Sequence, residues 1–336
     1  MNLSSIASAI APVNLRSCLI SRQGRLVFEH YRDRQTAGQI AKINSCTKSF
    51  LSALICIAFD RGLLPSADTP ISEFFPLLLD GDADPHKRQI TLRHLLTMSA
   101  GFNWTEFGGH NSFPRMTRSP DWVRFVLKQP MSDRPGDRME YNSGASQLLA
   151  AILVQAAGLP AARFAELHLF GSLGIETYKW EQDPQGVHTG GFGLWLRPGD
   201  MLKFGQLYLQ RGVWEGKPLI SPEMVSQSVK PAIGVEAPRR GCYAWHWWTD
   251  TWLPDAEPRE DKTSVTSTSD PARDGGRFTV SSSSPAFDYF YARGYGGNFI
   301  YVIPSLETVV VLTDDKRKRD RPPADVFRQL IAPYLL

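Results

Sequence analysis

Strand signals stand at both ends of this chain and helical signals fill its middle, and that order constrains the fold more than any single motif. Near the start, Leu15 to Ile20 and Arg25 to His30 are short strand-like runs around Arg22-Gln23-Gly24, the pattern of a hairpin. Helical patterns follow over Phe50 to Phe59, Thr91 to Met98, Pro120 to Lys128, Gly144 to Ala157, Pro160 to Leu169 and Asp200 to Arg211. Strands return at Tyr243 to Trp248, Phe287 to Ala292, Asn298 to Ile303 and Thr308 to Thr313, and Pro323 to Leu335 reads as a closing helix. The first and last thirds are therefore expected to form one sheet-bearing lobe, about 1–44 and 195–336, interrupted by a helical lobe, about 45–194. Asp255 to Ser284, rich in Ser, Thr, Asp, Pro and Gly, is expected as a long surface excursion.

A chain of 336 residues with 42% hydrophobic and 21% charged residues suits one large catalytic domain with a sizeable core. The net charge of +3 is too mild to imply nucleic acid, and no basic stripe interleaved with aromatics occurs. Lys316-Arg317-Lys318-Arg319 is flanked by Asp314, Asp315 and Asp320, which makes it a solvated turn. Four cysteines (Cys18, Cys46, Cys56, Cys242) show no paired spacing and no metal-ligand company. No run approaches the length needed to span a membrane, and Met1 to Cys18 lacks the basic start of a leader, so a cytoplasmic protein is the expectation.

Ser45-Cys46-Thr47-Lys48 is the one S-x-x-K, and it heads the apolar run Phe50 to Phe59. Residues three apart on a helix are neighbours, so an amine stands beside a hydroxyl. A serine needs an adjacent base to become a nucleophile, and a lysine can be that base if burial or nearby charge lowers its pKa. By itself the motif is weak, because roughly one such spacing is expected by chance in a chain this long.

Two further constellations follow in order. Glu140-Tyr141-Asn142-Ser143-Gly144 leads into a helix, and a tyrosine held near an ammonium can accept a serine proton as its phenolate. Arg293-Gly294-Tyr295-Gly296-Gly297-Asn298 leads into a strand whose glycines let a substrate approach closely, with the Asn298 N–H offered to a developing oxyanion. Trp104, Glu106, Phe107 and His110 lie in a loop with a possible substrate contact, and Trp245, Trp247 and Trp248 read as the core face of a strand.

The three constellations together resemble the serine β-lactamase and penicillin-recognising family, whose signature is S-x-x-K, S/Y-x-N and K/H-T/S-G. The likeness is to its class C-like branch, nearest to the aminohexanoate-dimer hydrolase-like members, and also covers Phe50 to Leu63, Ile90 to Gly101, Ser119 to Val123 and Gly190 to Leu209. It implies an α+β fold: an antiparallel sheet flanked by helices, an inserted helical lobe and an active site between the lobes. It further implies Ser45 as the acylated nucleophile, Lys48 as its partner and Tyr141 as general base. The oxyanion hole would be the N–H groups of Ser45 and Asn298, and substrate would meet Ser143, Tyr295, Gly296, Gly297 and Trp104. No metal or organic cofactor is implied, and the partner is a small-molecule amide or ester. Ser143 stands where the family often has asparagine. Tyr295 stands where lactamases and peptidases have the cation that holds a substrate carboxylate, which puts β-lactam hydrolysis in doubt. A slowly turning over, penicillin-binding sensor of the same fold is the alternative to a hydrolase.

Overall fold

The computed structural model describes residues 1–79, 84–254, 286–315 and 326–336. The expected excursion at 255–284, the Lys316 to Arg319 cluster and the start of the expected closing helix lie outside the described residues. Eight strands form one sheet: β1 (Ser17–Arg22), β2 (Arg25–Tyr31), β3 (Ile233–Gly234), β4 (Cys242–Tyr243), β5 (Trp248–Trp252), β6 (Phe287–Gly294), β7 (Asn298–Ile303) and β8 (Thr308–Thr313). Their order across the sheet is β2-β1-β8-β7-β6-β5-β4-β3, and each neighbouring pair is antiparallel. The first hairpin thus joins the last strand, with Leu19 opposite Val311 and Ile300 also opposite Val311, so the two ends of the chain close one sheet.

Side chains alternate between two cores because successive strand residues point to opposite faces. Leu19, Phe290, Ala292, Ile300, Val302, Val309 and Val311 face the helical side, whereas Cys18, Ile20, Phe299, Tyr301, Val310 and Leu312 face the other. With both faces covered, β7 and β8 are buried at every position and read as continuous apolar runs. Helix α1 (Leu3–Ile10) packs Ile6 and Ile10 on the outer face beside Phe327 and Ile331. It escapes the sequence pattern because only those two of its residues are buried. The described end of the chain is a wide helical segment, Val326–Ile331, and a tight one, Ala332–Tyr334.

On the inner side lie α2 (Thr47–Asp60), α3 (Ser143–Ala157) and α4 (Pro198–Leu209). Helix α2 is buried on all sides from Thr47 to Ala58, and Phe50 stacks on Phe204 of α4 with centroids 3.8 Å apart. Gly205 lets α4 lie on the sheet, since a Cβ there would stand 2.5 Å from Val309 Cγ1. Of the expected strand Tyr243 to Trp248 only the two ends are strand, in β4 and β5, and Ala244 to Trp247 is the turn between them. Its backbone is bonded elsewhere: Trp245 N–H donates to Ser228 O, His246 N–H to Leu96 O, and the hydroxyls of Ser49 and Ser52 donate to the carbonyls of His246 and Trp245. His246 takes a left-handed φ of 58° to make that turn. Among the described residues no single helix is long and apolar enough to cross a membrane.

Candidate active site

Ser45 lies in a tight turn, Asn44–Cys46, that runs directly into α2. Short strand pairing between Ala41–Lys42 and Leu194–Leu196 brings the chain in, and Ile43 N–H then donates to Leu194 O at 3.0 Å. Thr47 fixes the turn from within, donating to Asn44 O at 2.7 Å while accepting Leu194 N–H at 3.3 Å. From the sheet, Gly294 ends β6 against the same turn. A Cβ on Gly294 would stand 2.1 Å from Ile43 O, so only glycine permits that approach.

Lys48 is 1% exposed, one turn beyond Ser45. Its Nζ lies 2.8 Å from Gly191 O, 2.9 Å from Ser143 Oγ and 3.3 Å from Ser45 Oγ. Three acceptors match the three donors of an ammonium. A Cβ on Gly191 would crowd this corner, standing 3.0 Å from Lys48 Nζ and 3.1 Å from Ser143 Cβ. Gln147 holds this loop, accepting Gly190 N–H at 3.0 Å and donating to Asp183 at 2.9 Å.

Tyr141 meets Lys48 with its ring face, the Nζ being 4.7 Å from the centroid. The ring stacks on Trp248 at 5.9 Å and takes the Arg239 guanidinium at 5.9 Å. Among the described residues its hydroxyl makes no hydrogen bond. Behind the pair, His246 is buried between Ser146 Oγ at 3.0 Å from Nε2 and Leu96 O at 2.9 Å from Nδ1. Burial, with the Lys48 charge second, pushes its imidazole down to about 3, so it stays neutral.

The residues expected to touch substrate are placed unequally. Tyr295 is 55% exposed, and its carbonyl is pinned by Asn44 Nδ2 at 2.7 Å and Asn298 Nδ2 at 3.0 Å. Gly296 and Gly297, at φ 85° and 103°, make the turn that follows. Trp104 is 3% exposed and has almost no surface to offer; its indole N–H donates to Glu106 at 2.9 Å. Ser143 is occupied by Lys48 and Glu106. Asn298 is the closing partner of Gly294 across the hairpin, and its carbonyl accepts the Cys46 thiol. The N–H groups of Ser45 and Tyr295 have no acceptor among the described residues. Ser45 owes this to its place at a helix start, where the first N–H groups have no intrahelical partner.

Sequence reasoning grouped Glu106 with Trp104, Phe107 and His110 as a substrate-contact loop, did not place it beside Ser143, and did not single out Arg239. The only signal for Glu106 was its place two residues after Trp104. Trp248 and Arg239 lead from Tyr141 into a cleft of about 560 Å³, also lined by Tyr291 and Arg293. Ser45 does not line it.

A sheet closed by both ends of the chain, with a serine and a buried lysine at the head of a core helix, is the arrangement of the beta-lactamase family, and its family model matches residues 17–332. The chain belongs to that family. Its sequence is 24% identical over 205 residues to the D-alanyl-D-alanine-carboxypeptidase/endopeptidase AmpH of Escherichia coli (strain K12), a match spanning 54% of this chain and 52% of that protein. The chain thus spans about half the length of the curated relatives it matches. Its fold is similar to that of a Bacillus anthracis protein assigned as a 6-aminohexanoate-dimer hydrolase, with a TM-score of 0.74, 16% identity and coverage of 98% of this chain and 81% of the other. It is also similar to a class C beta lactamase from Rhodobacter sphaeroides, with a TM-score of 0.66, 17% identity and coverage of 99% and 100%.

Proposed function

We propose that this chain is a serine hydrolase that forms an acyl-enzyme on Ser45 and hydrolyses a small amide or ester. The observation that carries this reading is the position of Lys48 Nζ, 3.3 Å from Ser45 Oγ, with its other two places taken by Gly191 O and Ser143 Oγ. The ammonium donates to all three; once it gives up the proton facing Ser45, the two N–H groups held by Gly191 O and Ser143 Oγ turn the freed lone pair to Ser45 Oγ, which is what a base for the serine proton requires. We assign Tyr141 the return of that proton to the leaving amine or alkoxide, a role that requires its hydroxyl, unbonded among the described residues while its ring faces Lys48, to reach the reacting atoms once substrate is bound. Water then repeats the sequence on the ester to release the acid.

The tetrahedral oxyanion is received by the Ser45 N–H and by a donor from the β6–β7 turn. Asn298, at the start of β7 and expected from the sequence, is the donor we assign, and Tyr295, whose carbonyl is anchored by Asn44 and whose N–H has no acceptor among the described residues, is the second candidate. Tyr295 supplies no cation for a substrate carboxylate; Arg239, over the Tyr141 ring, is a cation beside the site.

A panel of nitrophenyl esters, an aminohexanoate dimer, a D-Ala-D-Ala peptide and a cephalosporin tests the reading. Turnover of an ester or the dimer, faster than that of the cephalosporin, is expected. Adducts that form on Ser45 but never turn over with any member would replace it with the sensor-like alternative.

A further inference from the structure

Ser143 has one proton, and two neighbours compete to decide where it points. Lys48 Nζ stands 2.9 Å from its Oγ, and on the other side Glu106 Oε1 is in a short hydrogen bond with the same oxygen. An ionised carboxylate only accepts, so the Ser143 O–H donates to Glu106 and its lone pair is left for a Lys48 N–H.

Glu106 is itself fixed. Its Oε2 accepts the Ser143 backbone N–H at 2.9 Å and the Trp104 indole N–H at 2.9 Å, which places the carboxylate at the start of the 15-residue helix α3, where negative charge is favoured. Gly144 allows the Trp104 loop to lie there, since a Cβ would stand 2.5 Å from Val126 Cγ2 and 3.2 Å from the Trp104 ring. Among the described residues no lysine, arginine or histidine forms a salt bridge with Glu106. Its nearest counter-charge along hydrogen bonds is Lys48, through one serine hydroxyl.

We propose that Glu106 is a positioning residue for the nucleophile pair: by taking the only proton of Ser143 it obliges Lys48 to spend an N–H on Ser143, which leaves one place on Lys48 for Ser45. Serine thus does the work of an acceptor that it cannot do alone, because an undirected hydroxyl rotates and competes as a donor. The inference rests on the acyl-enzyme reading above and adds to it a residue that acts through Ser143.

The test is a double-mutant cycle read as the rate of Ser45 labelling by a fluorophosphonate, with thermal melts as a check on folding. Glu106→Gln and Ser143→Ala are each expected to slow labelling by about 10- to 100-fold, and Glu106→Gln made in the Ser143→Ala background is expected to slow it no further. A merely structural Glu106 would give losses that multiply. Multiplying losses, or a wild-type rate in Glu106→Gln, overturn the inference. Should Glu106→Gln fail to fold, a wild-type rate in Ser143→Ala overturns it by itself, since that variant deletes the same link from the other side. Absence of any wild-type adduct on Ser45 overturns the acyl-enzyme reading and this inference with it.

Discussion

Gly191→Ala perturbs the lysine without replacing either member of the nucleophile pair. The added Cβ would stand 3.0 Å from Lys48 Nζ, 3.1 Å from Ser143 Cβ and 3.2 Å from Ser143 Oγ. Ser143 is fixed in the first turn of α3 and Lys48 is 1% exposed, so neither steps aside freely. The 191 carbonyl must draw back by a few tenths of an ångström, which stretches the 2.8 Å bond that orients the ammonium. Hydrogen bonds to charged groups contribute about 1.5–3 kcal/mol, and about 1.4 kcal/mol is a factor of ten in rate. A loss of about 10- to 100-fold in acylation follows, with a much smaller change in the melting temperature. Single-turnover kinetics with a nitrophenyl ester measures it. An unchanged acylation rate in a folded Gly191→Ala protein would refute the claim that this carbonyl sets the lysine.

Tyr141→Phe and Lys48→Ala should each slow acylation by about a hundred- to ten-thousand-fold, the range for a positioned proton acceptor, and the double variant should be little worse than either, which burst kinetics will show. Asn44→Ala removes the 2.7 Å bond that pins the Tyr295 carbonyl and should lower kcat about five-fold with KM little changed. His246 gives a stability prediction. Its imidazole titrates near 6.5 when unfolded and at about 3 in the fold, so the folded state loses stability as pH falls from about 6.5 towards 3, on the order of 5 kcal/mol at the limit. Urea melts between pH 7 and 4 should show a shallower decline in His246→Gln than in the wild type, and an equal decline would contradict the neutral, buried assignment.

The strands β1, β2, β6, β7 and β8 were legible, the last two because burial on both faces makes their centres continuous apolar runs, whereas Ile233–Gly234 and Trp248–Trp252 were not read as strands. The S-x-x-K pair was legible because three residues along one helix is a local relation. What was not legible depends on where backbone bonds go. Ala244 to Trp247 has the aromatic content of a strand, but its carbonyls and N–H groups are claimed by Ser49, Ser52, Leu96 and Ser228, from distant parts of the chain. Asn298 was read as the oxyanion donor from the linear motif, and the free N–H of Tyr295 beside it depends on how the turn is pinned by Asn44, 251 residues away. Glu106 sits 37 residues from Ser143, and nothing in either local sequence announces that a carboxylate will reach the start of α3.

The central claim is that Ser45 carries the acyl group. Peptide mapping by mass spectrometry after incubation with a fluorophosphonate tests it directly: one adduct on the peptide holding Ser45 in the wild type and none in Ser45→Ala is the predicted result. No wild-type adduct, or an adduct that persists in Ser45→Ala, would contradict it.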